Sequence, residues 1–204
     1  MMERKPGRLL VNLFAALFTI LWAASNFIQF AKGGGKWGAS HLLLGIQMFL
    51  AAVFFIARSA PTAVSWKPVD VLTSFVGTFA PSLFSLENGK AAHPLGLLLQ
   101  LLGTGLAAAC MLSLGRSIGI LPANRGVRTK GVYSLVRHPL YASYQIANAG
   151  YLINHPGAYN FIVAALCLLS QVARIFAEER LLGSDPAYRE YRKQVVWKMI
   201  PFVF

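Results

Sequence analysis

Long apolar runs separated by short polar or Gly/Pro breaks make up the pattern of this chain. The runs cover residues 9–30, 40–57, 69–86, 94–114, 139–154 and 159–176. A helix that crosses a bilayer's hydrocarbon core needs about 20 mostly apolar residues, so the pattern predicts an all-α fold, a polytopic bundle of five or six transmembrane helices. Two runs depart from a uniform apolar span: the third contains Pro81, and the fifth is short and carries Gln145 and Asn148. The first run has a rival reading as a cleaved signal peptide, because Arg4, Lys5 and Arg8 precede it and "WAAS" offers a cleavage site. It continues apolar beyond that point, and is therefore read as a span.

Composition agrees. Hydrophobic residues make up 56% of the chain and charged residues 13%, with a mean hydropathy of +0.54, whereas soluble domains carry about a quarter charged residues. Five or six spans use nearly all of the 204 residues, which leaves no room for a separate soluble domain. The expected organisation is one integral membrane domain, with N-terminal helices in residues 1–92 and the chemistry-bearing residues in 93–204.

The surplus of 19 basic over 7 acidic side chains raises nucleic acid as a partner, but its distribution points to lipid instead. With six spans and the N-terminus inside, only Lys32, Lys36 and Lys90 of those 19 fall in outside loops. That asymmetry is the positive-inside rule. It predicts cytoplasmic termini, an even number of spans and attraction to anionic head groups, as for a multi-pass protein of a bacterial inner membrane. No nucleic-acid partner is expected.

Several features carry no chemistry. Cys110 and Cys167 fall in mid-run, where a thiol acts as a small hydrophobe. The loop "KGGGKWG" lacks the Gly-Lys-Ser/Thr ending of a phosphate loop. His41, His93 and His155 lie near the ends of runs without metal-ligand spacing, so no metal site is predicted.

Two polar clusters remain. The segment "GRSIGILPANRGVRTKGVYSLVRHPLY" holds Gly126 and Gly131, which permit close backbone approach, and Tyr133 and Tyr141. His138-Pro139 opens the fifth run, where a proline suits the first helical turn and free N–H groups present partial positive charge to an anion. A basic interfacial loop with snorkelling arginines is the plainer reading of this segment. The second cluster, "SQVARIFAEERLL", puts Arg174 and Glu178 four residues apart on one helix face. Ionisable groups at membrane depth usually face a protein interior, a partner or a wet cavity, although an intrahelical salt bridge is the plainer alternative. Two such clusters on one side predict a site at the cytoplasmic membrane face.

"GVYSLVRHPLY", a hairpin of two apolar runs, "RIFAEERLL", "PAYREYRKQV" and a closing Pro201 together resemble the C-terminal half of the isoprenylcysteine carboxyl methyltransferase and phospholipid methyltransferase superfamily. The resemblance covers roughly residues 114–201. It implies an integral membrane enzyme that uses S-adenosyl-L-methionine, held in a pocket of the last helices and their cytoplasmic loops. Its cofactor contacts would fall on His138, Pro139, Leu140 and Tyr141, on Tyr133, and on Glu178. The stretch Arg125, Gly126, Val127 and Arg128 would also line the cofactor, although these residues differ from the family's own. Arg174 would be the catalytic, substrate-side residue. A family Gly-x-Gly would correspond to Gly103-Thr104-Gly105, which helix packing also explains.

The chemistry of these groups is compatible with that role. Glu178 can answer a cation or hydroxyl of the cofactor, and backbone N–H groups near His138 can answer its carboxylate. Methyl transfer is an in-line displacement driven largely by positioning and exclusion of water, with no covalent nucleophile. Arg174 can orient an anionic acceptor through two hydrogen bonds; an amine acceptor would need a base, for which His138 and Glu179 are the candidates. The acceptor is a lipophilic or small molecule, with an isoprenylcysteine-like carboxylate as one option. Two rivals stay open: an NADPH-dependent sterol-reductase-like oxidoreductase, which shares Arg-His-Pro-x-Tyr but departs at "HPLYASY" and "AEERLL", and a non-enzymatic membrane scaffold.

Overall fold

Six α-helices form among the described residues, which are residue 17, residues 38–85 and residues 93–204 of a computed structural model. They are α1 (Ala39–Ala57), α2 (Pro68–Phe79), α3 (Pro94–Leu114), α4 (Pro139–Asn154), α5 (Ala158–Leu182) and α6 (Pro186–Gln194). The chain is mostly helical, as the run pattern predicts. The expected first span, residues 9–30, lies outside the described residues apart from residue 17.

Local signals account for the helix ends. Pro68, Pro94, Pro139 and Pro186 each open a helix, at the position where a missing N–H costs nothing. Asp185 caps α6 by accepting from the Ala187 N–H at 2.9 Å, and the His93 ring caps α3 by accepting from the Leu95 N–H at 3.2 Å. α3 stops at Gly115, which adopts φ +53, a conformation that glycine enters without a Cβ penalty.

Two segments are long and apolar enough to cross a membrane, Pro94–Ser117 and Ala158–Leu182. The third predicted span is corrected. Its helix ends at Phe79 after 12 residues and gives way to a 3-10 turn at Ala80–Leu83, because Pro81 has no N–H with which to continue the ladder. At 1.5 Å per residue that helix is about 18 Å long, well short of the roughly 30 Å hydrocarbon core. α4, with 16 residues, is about 24 Å long by the same measure.

Packing is closest between α3 and α4. A Cβ on Gly103 would lie 2.5 Å from the Ala147 nitrogen and 2.7 Å from the Ser143 carbonyl oxygen, and one on Gly150 would lie 2.5 Å from the Gly96 oxygen. Backbone therefore meets backbone, as small residues allow between membrane helices. Gly105 faces open space. Gly103-Thr104-Gly105 thus serves helix packing on one side and is not on the wall of the cavity described below. At this far end of the pair, Gln100 joins Ser40 and Asn154 in a buried network, with Ser40 Oγ donating to Gln100 Oε1 at 2.6 Å and Asn154 Nδ2 to the same oxygen at 3.0 Å. Cys110 and Cys167 are both buried and unbridged.

At the opposite end, short loops are tied together. β1 (Ala63–Val64) pairs antiparallel with β2 (Ala123–Asn124), Ala63 opposite Asn124 and Val64 opposite Ala123. Asn124 Nδ2 donates to Asp185 Oδ2 at 2.7 Å, joining this ribbon to the start of α6. α2 is fastened to α5 by Arg180 on Asp70, at 2.7 and 2.9 Å from its two oxygens. These ties roof a large cavity.

Candidate functional site

The cavity lies between the loop end of α5, the start of α4, the segment 114–133 and the facing sides of α1 and α2, and it encloses about 1490 Å³ of space including its open mouth. Arg125, Gly126, Val127, Arg128, Tyr133, His138, Leu140, Tyr141, Arg174 and Glu178 all lie on its wall. Three blocks well separated in sequence therefore meet around one space. Pro139 does not: it is buried beside the wall, and its role is to open α4.

Glu178 is at the centre of the polar part. Its Oε1 accepts from the Tyr141 hydroxyl at 2.5 Å, its Oε2 is 3.6 Å from His138 Nδ1, and Arg174 Nη2 is 3.8 Å from Oε1. Its side chain is still 21% exposed, so the carboxylate can take a further donor from a ligand. Arg174, one turn earlier, is 7% exposed. It donates to Thr78 Oγ1 at 3.0 Å and to the carbonyls of Gly119 and Ile120 at 3.3 and 2.8 Å, and its guanidinium lies 5.2 Å from the Tyr141 ring centre. Its Nε–H is buried with no partner. The Arg174–Glu178 contact is thus a loose one, and most of the guanidinium's bonds go to α2 and the loop.

Arg137, itself on the wall, pairs with Glu179 behind it. Arg137 Nε donates to Glu179 Oε1 at 2.7 Å, and its Nη1 donates to the carbonyls of Val195 and Val196 at 2.8 and 2.7 Å. His138 Nε2 is 3.3 Å from the same Glu179 oxygen. Two expectations are revised by these contacts. The N–H groups of Arg137 and His138 are occupied by the carbonyls of Trp197 and Lys198 at 2.9 and 2.7 Å, so they are not open to a ligand carboxylate. Glu179 and His138 are bound to each other, and Glu179 also holds Arg137, which leaves neither placed as a free base.

Burial by itself would lower the His138 pKa, but hydrogen bonding and charge from Glu178 and Glu179 outweigh it and raise the pKa above the ordinary 6.5. The imidazolium is thereby favoured more than in a free imidazole. A raised folded-state pKa adds stability that is fully present below 6.5 and is lost as pH rises through the folded value. The melting-temperature gap between the protein and His138→Asn should therefore be largest below pH 6.5 and shrink as pH rises above it. A gap independent of pH would contradict the charged imidazole.

The mouth is basic but partly committed. Arg125 Nε donates to the Ser59 carbonyl at 3.2 Å, and its guanidinium fills the space a Cβ on Gly119 would need. Arg128 is exposed, with its Nε 3.3 Å from Ser117 Oγ. Tyr188 and Tyr191 also line the cavity; the Tyr191 hydroxyl donates to the Tyr133 carbonyl at 2.6 Å, while that of Tyr188 is buried without a partner. Burial holds Tyr133 well above the usual phenol range, so it stays a neutral phenol.

Sequence reasoning missed Gln47, Thr78, Tyr144, Tyr188 and Tyr191 on this wall. Two of the signals were legible. Tyr188 and Tyr191 stand three apart and so share a helix face, and Gln47 is a carboxamide inside the apolar stretch "LLLGIQMFLAAVFF", where a polar group calls for a reason. No protein-family model matches the chain, and no curated protein matches it significantly.

Proposed function

We propose that this protein is a multi-pass membrane methyltransferase that takes the methyl group of S-adenosyl-L-methionine and delivers it to an amphiphilic acceptor, in the manner of the superfamily its C-terminal half resembles. The observation that carries this reading is the convergence of the Tyr133, His138–Tyr141 and Arg174–Glu178 blocks on one cavity. The proposed membrane placement has both termini in the cytoplasm and the cavity mouth on that side, in a bacterial inner membrane.

The side chains fit the cofactor on two grounds. Glu178 keeps an open carboxylate face, and the Tyr188 hydroxyl and Arg174 Nε–H are buried donors that lack protein partners, an arrangement that costs stability unless a ligand satisfies them. Glu178 would hold a cationic or hydroxyl group of the cofactor, Tyr133 and Tyr141 would pack its base, and Arg128 at the mouth would meet its carboxylate. When bound, S-adenosyl-L-methionine supplies an electrophilic methyl group on a sulfonium. Tyr141 and His138 fix the Glu178 carboxylate in place, and the loop ties exclude water. Arg174, whose Nε–H lacks a protein partner, orients the acceptor. Because His138 is paired with Glu179, and Glu179 also with Arg137, neither stands free as a base beside Arg174. That favours an acceptor that arrives already ionised, a carboxylate above an amine.

The test is titration calorimetry with S-adenosylhomocysteine and with NADPH. S-adenosylhomocysteine should bind the wild type, and Glu178→Gln should weaken it roughly tenfold, the difference between a charged and a neutral hydrogen bond, about 1–1.5 kcal/mol. Binding of NADPH alone would move the protein to the reductase reading. Binding of neither would leave a scaffold.

A further inference from the structure

The inner arm of the cavity contains a polar group that the proposed reaction does not use. Gln47 sits about 15 Å from the loop end of α1, ten residues at 1.5 Å each, and is 3% exposed. It lines the cavity next to Met48, Ala51 and Ala52, across from Gly77 and Phe79. Its carboxamide has no hydrogen-bond partner among the described residues.

Two other buried amides of the helices are tied to protein. Gln100 bonds Ser40 and Asn154, and Asn160 bonds the Ser85 and His155 carbonyls at 3.2 and 2.9 Å. Those amides join helices. Gln47 joins none and borders the cavity, where a ligand group can bond its carboxamide.

We infer that Gln47 recognises an uncharged oxygen function, a hydroxyl or carbonyl, set within the apolar part of the molecule that occupies this arm. A carboxamide both donates and accepts and carries no charge. Its neighbours on the wall are apolar, so an ionised group there would be left unpaired in a low-dielectric setting. The charged end of the same molecule belongs beside Arg174, which reaches the opposite wall through Thr78. The small side chains of Ala51 and Ala52 line this arm on α1. The occupant is thus an amphiphile with an anionic end and a neutral oxygen further along its apolar body. This rests on the methyl-acceptor reading of the cavity, but the role of Gln47 is measurable without it.

The probes are 1-decanol and decane, alike in length and differing in one hydroxyl, added to the full chain in detergent with S-adenosylhomocysteine present. Thermal unfolding of the wild type should be raised more by decanol than by decane. Gln47→Met, close in shape, should remove the decanol advantage while keeping the decane effect, equivalent to about a tenfold loss of decanol affinity. Gln47→Asn keeps the amide on a shorter stem and should fall between. An equal decanol advantage in wild type and Gln47→Met overturns the inference, as does its absence from the wild type. Unchanged S-adenosylhomocysteine affinity in Gln47→Met is expected; a parallel loss would assign Gln47 to the cofactor and overturn it too. If S-adenosylhomocysteine binds no form of the protein, the methyltransferase reading fails while the decanol comparison still decides Gln47.

Discussion

Arg137→Ala should destabilise the protein by about 3–5 kcal/mol, the cost of removing one partner from a buried ion pair. Arg137 and Glu179 side chains are 5% and 10% exposed, so the glutamate left behind cannot recover its bond from bulk water and keeps only His138, 3.3 Å from the same oxygen. The carbonyls of Val195 and Val196 lose their donor at the same time. Because the Arg137 and His138 N–H groups hold Trp197 and Lys198, the segment after α6 should loosen, and limited proteolysis should cut there first. Arg137→Lys keeps the charge but cannot fork between a carboxylate and two carbonyls, and should lie between. Denaturant unfolding in detergent checks this; a loss below about 1 kcal/mol would place the pair among weak surface bridges.

Arg174→Lys should lower methyl transfer about 100-fold, the scale of loss when a reacting group is misplaced by about 1 Å, while S-adenosylhomocysteine affinity changes little. The guanidinium bridges α2 through Thr78 and the loop through Gly119 and Ile120, and its buried Nε–H has no protein partner. An ammonium can satisfy part of this set and cannot keep the planar geometry. Radiolabel transfer from methyl-labelled S-adenosyl-L-methionine to a membrane lipid extract, followed with thermal stability on Arg174→Lys and Arg174→Ala, separates the roles. A fully active lysine variant would make Arg174 a structural tie between α2 and α5. The Arg174–Glu178 distance of 3.8 Å already argues that a simple intrahelical pair is not its main bond.

Much of the site was visible in the chain because its parts are short blocks. Tyr133, His138, Tyr141, Arg174 and Glu178 each stand in a motif a few residues long, and the i, i+4 spacing of the last two follows from helix geometry alone. Gln47 was visible as an anomaly but not as a site, since the same residue would be unremarkable if it bonded a neighbouring helix, as Gln100 does.

What the sequence determined by itself was local: the helical class, the apolar runs, and helix starts at Pro94 and Pro139, since proline and caps act within one turn. Even there Pro81 had to be seen in place before the third run proved too short to span. Tertiary structure alone decided which polar groups are spent and which are available. Glu179 is taken by Arg137 across 42 residues of sequence, the Arg137 guanidinium by carbonyls 58 and 59 residues away, and the Arg174 guanidinium by Thr78 across 96. Such partners are brought together by the packing of whole helices, and their distances depend on the fold as a whole. A buried polar group is free for chemistry only when that packing leaves it unbonded, as it does the Nε–H of Arg174 and the hydroxyl of Tyr188.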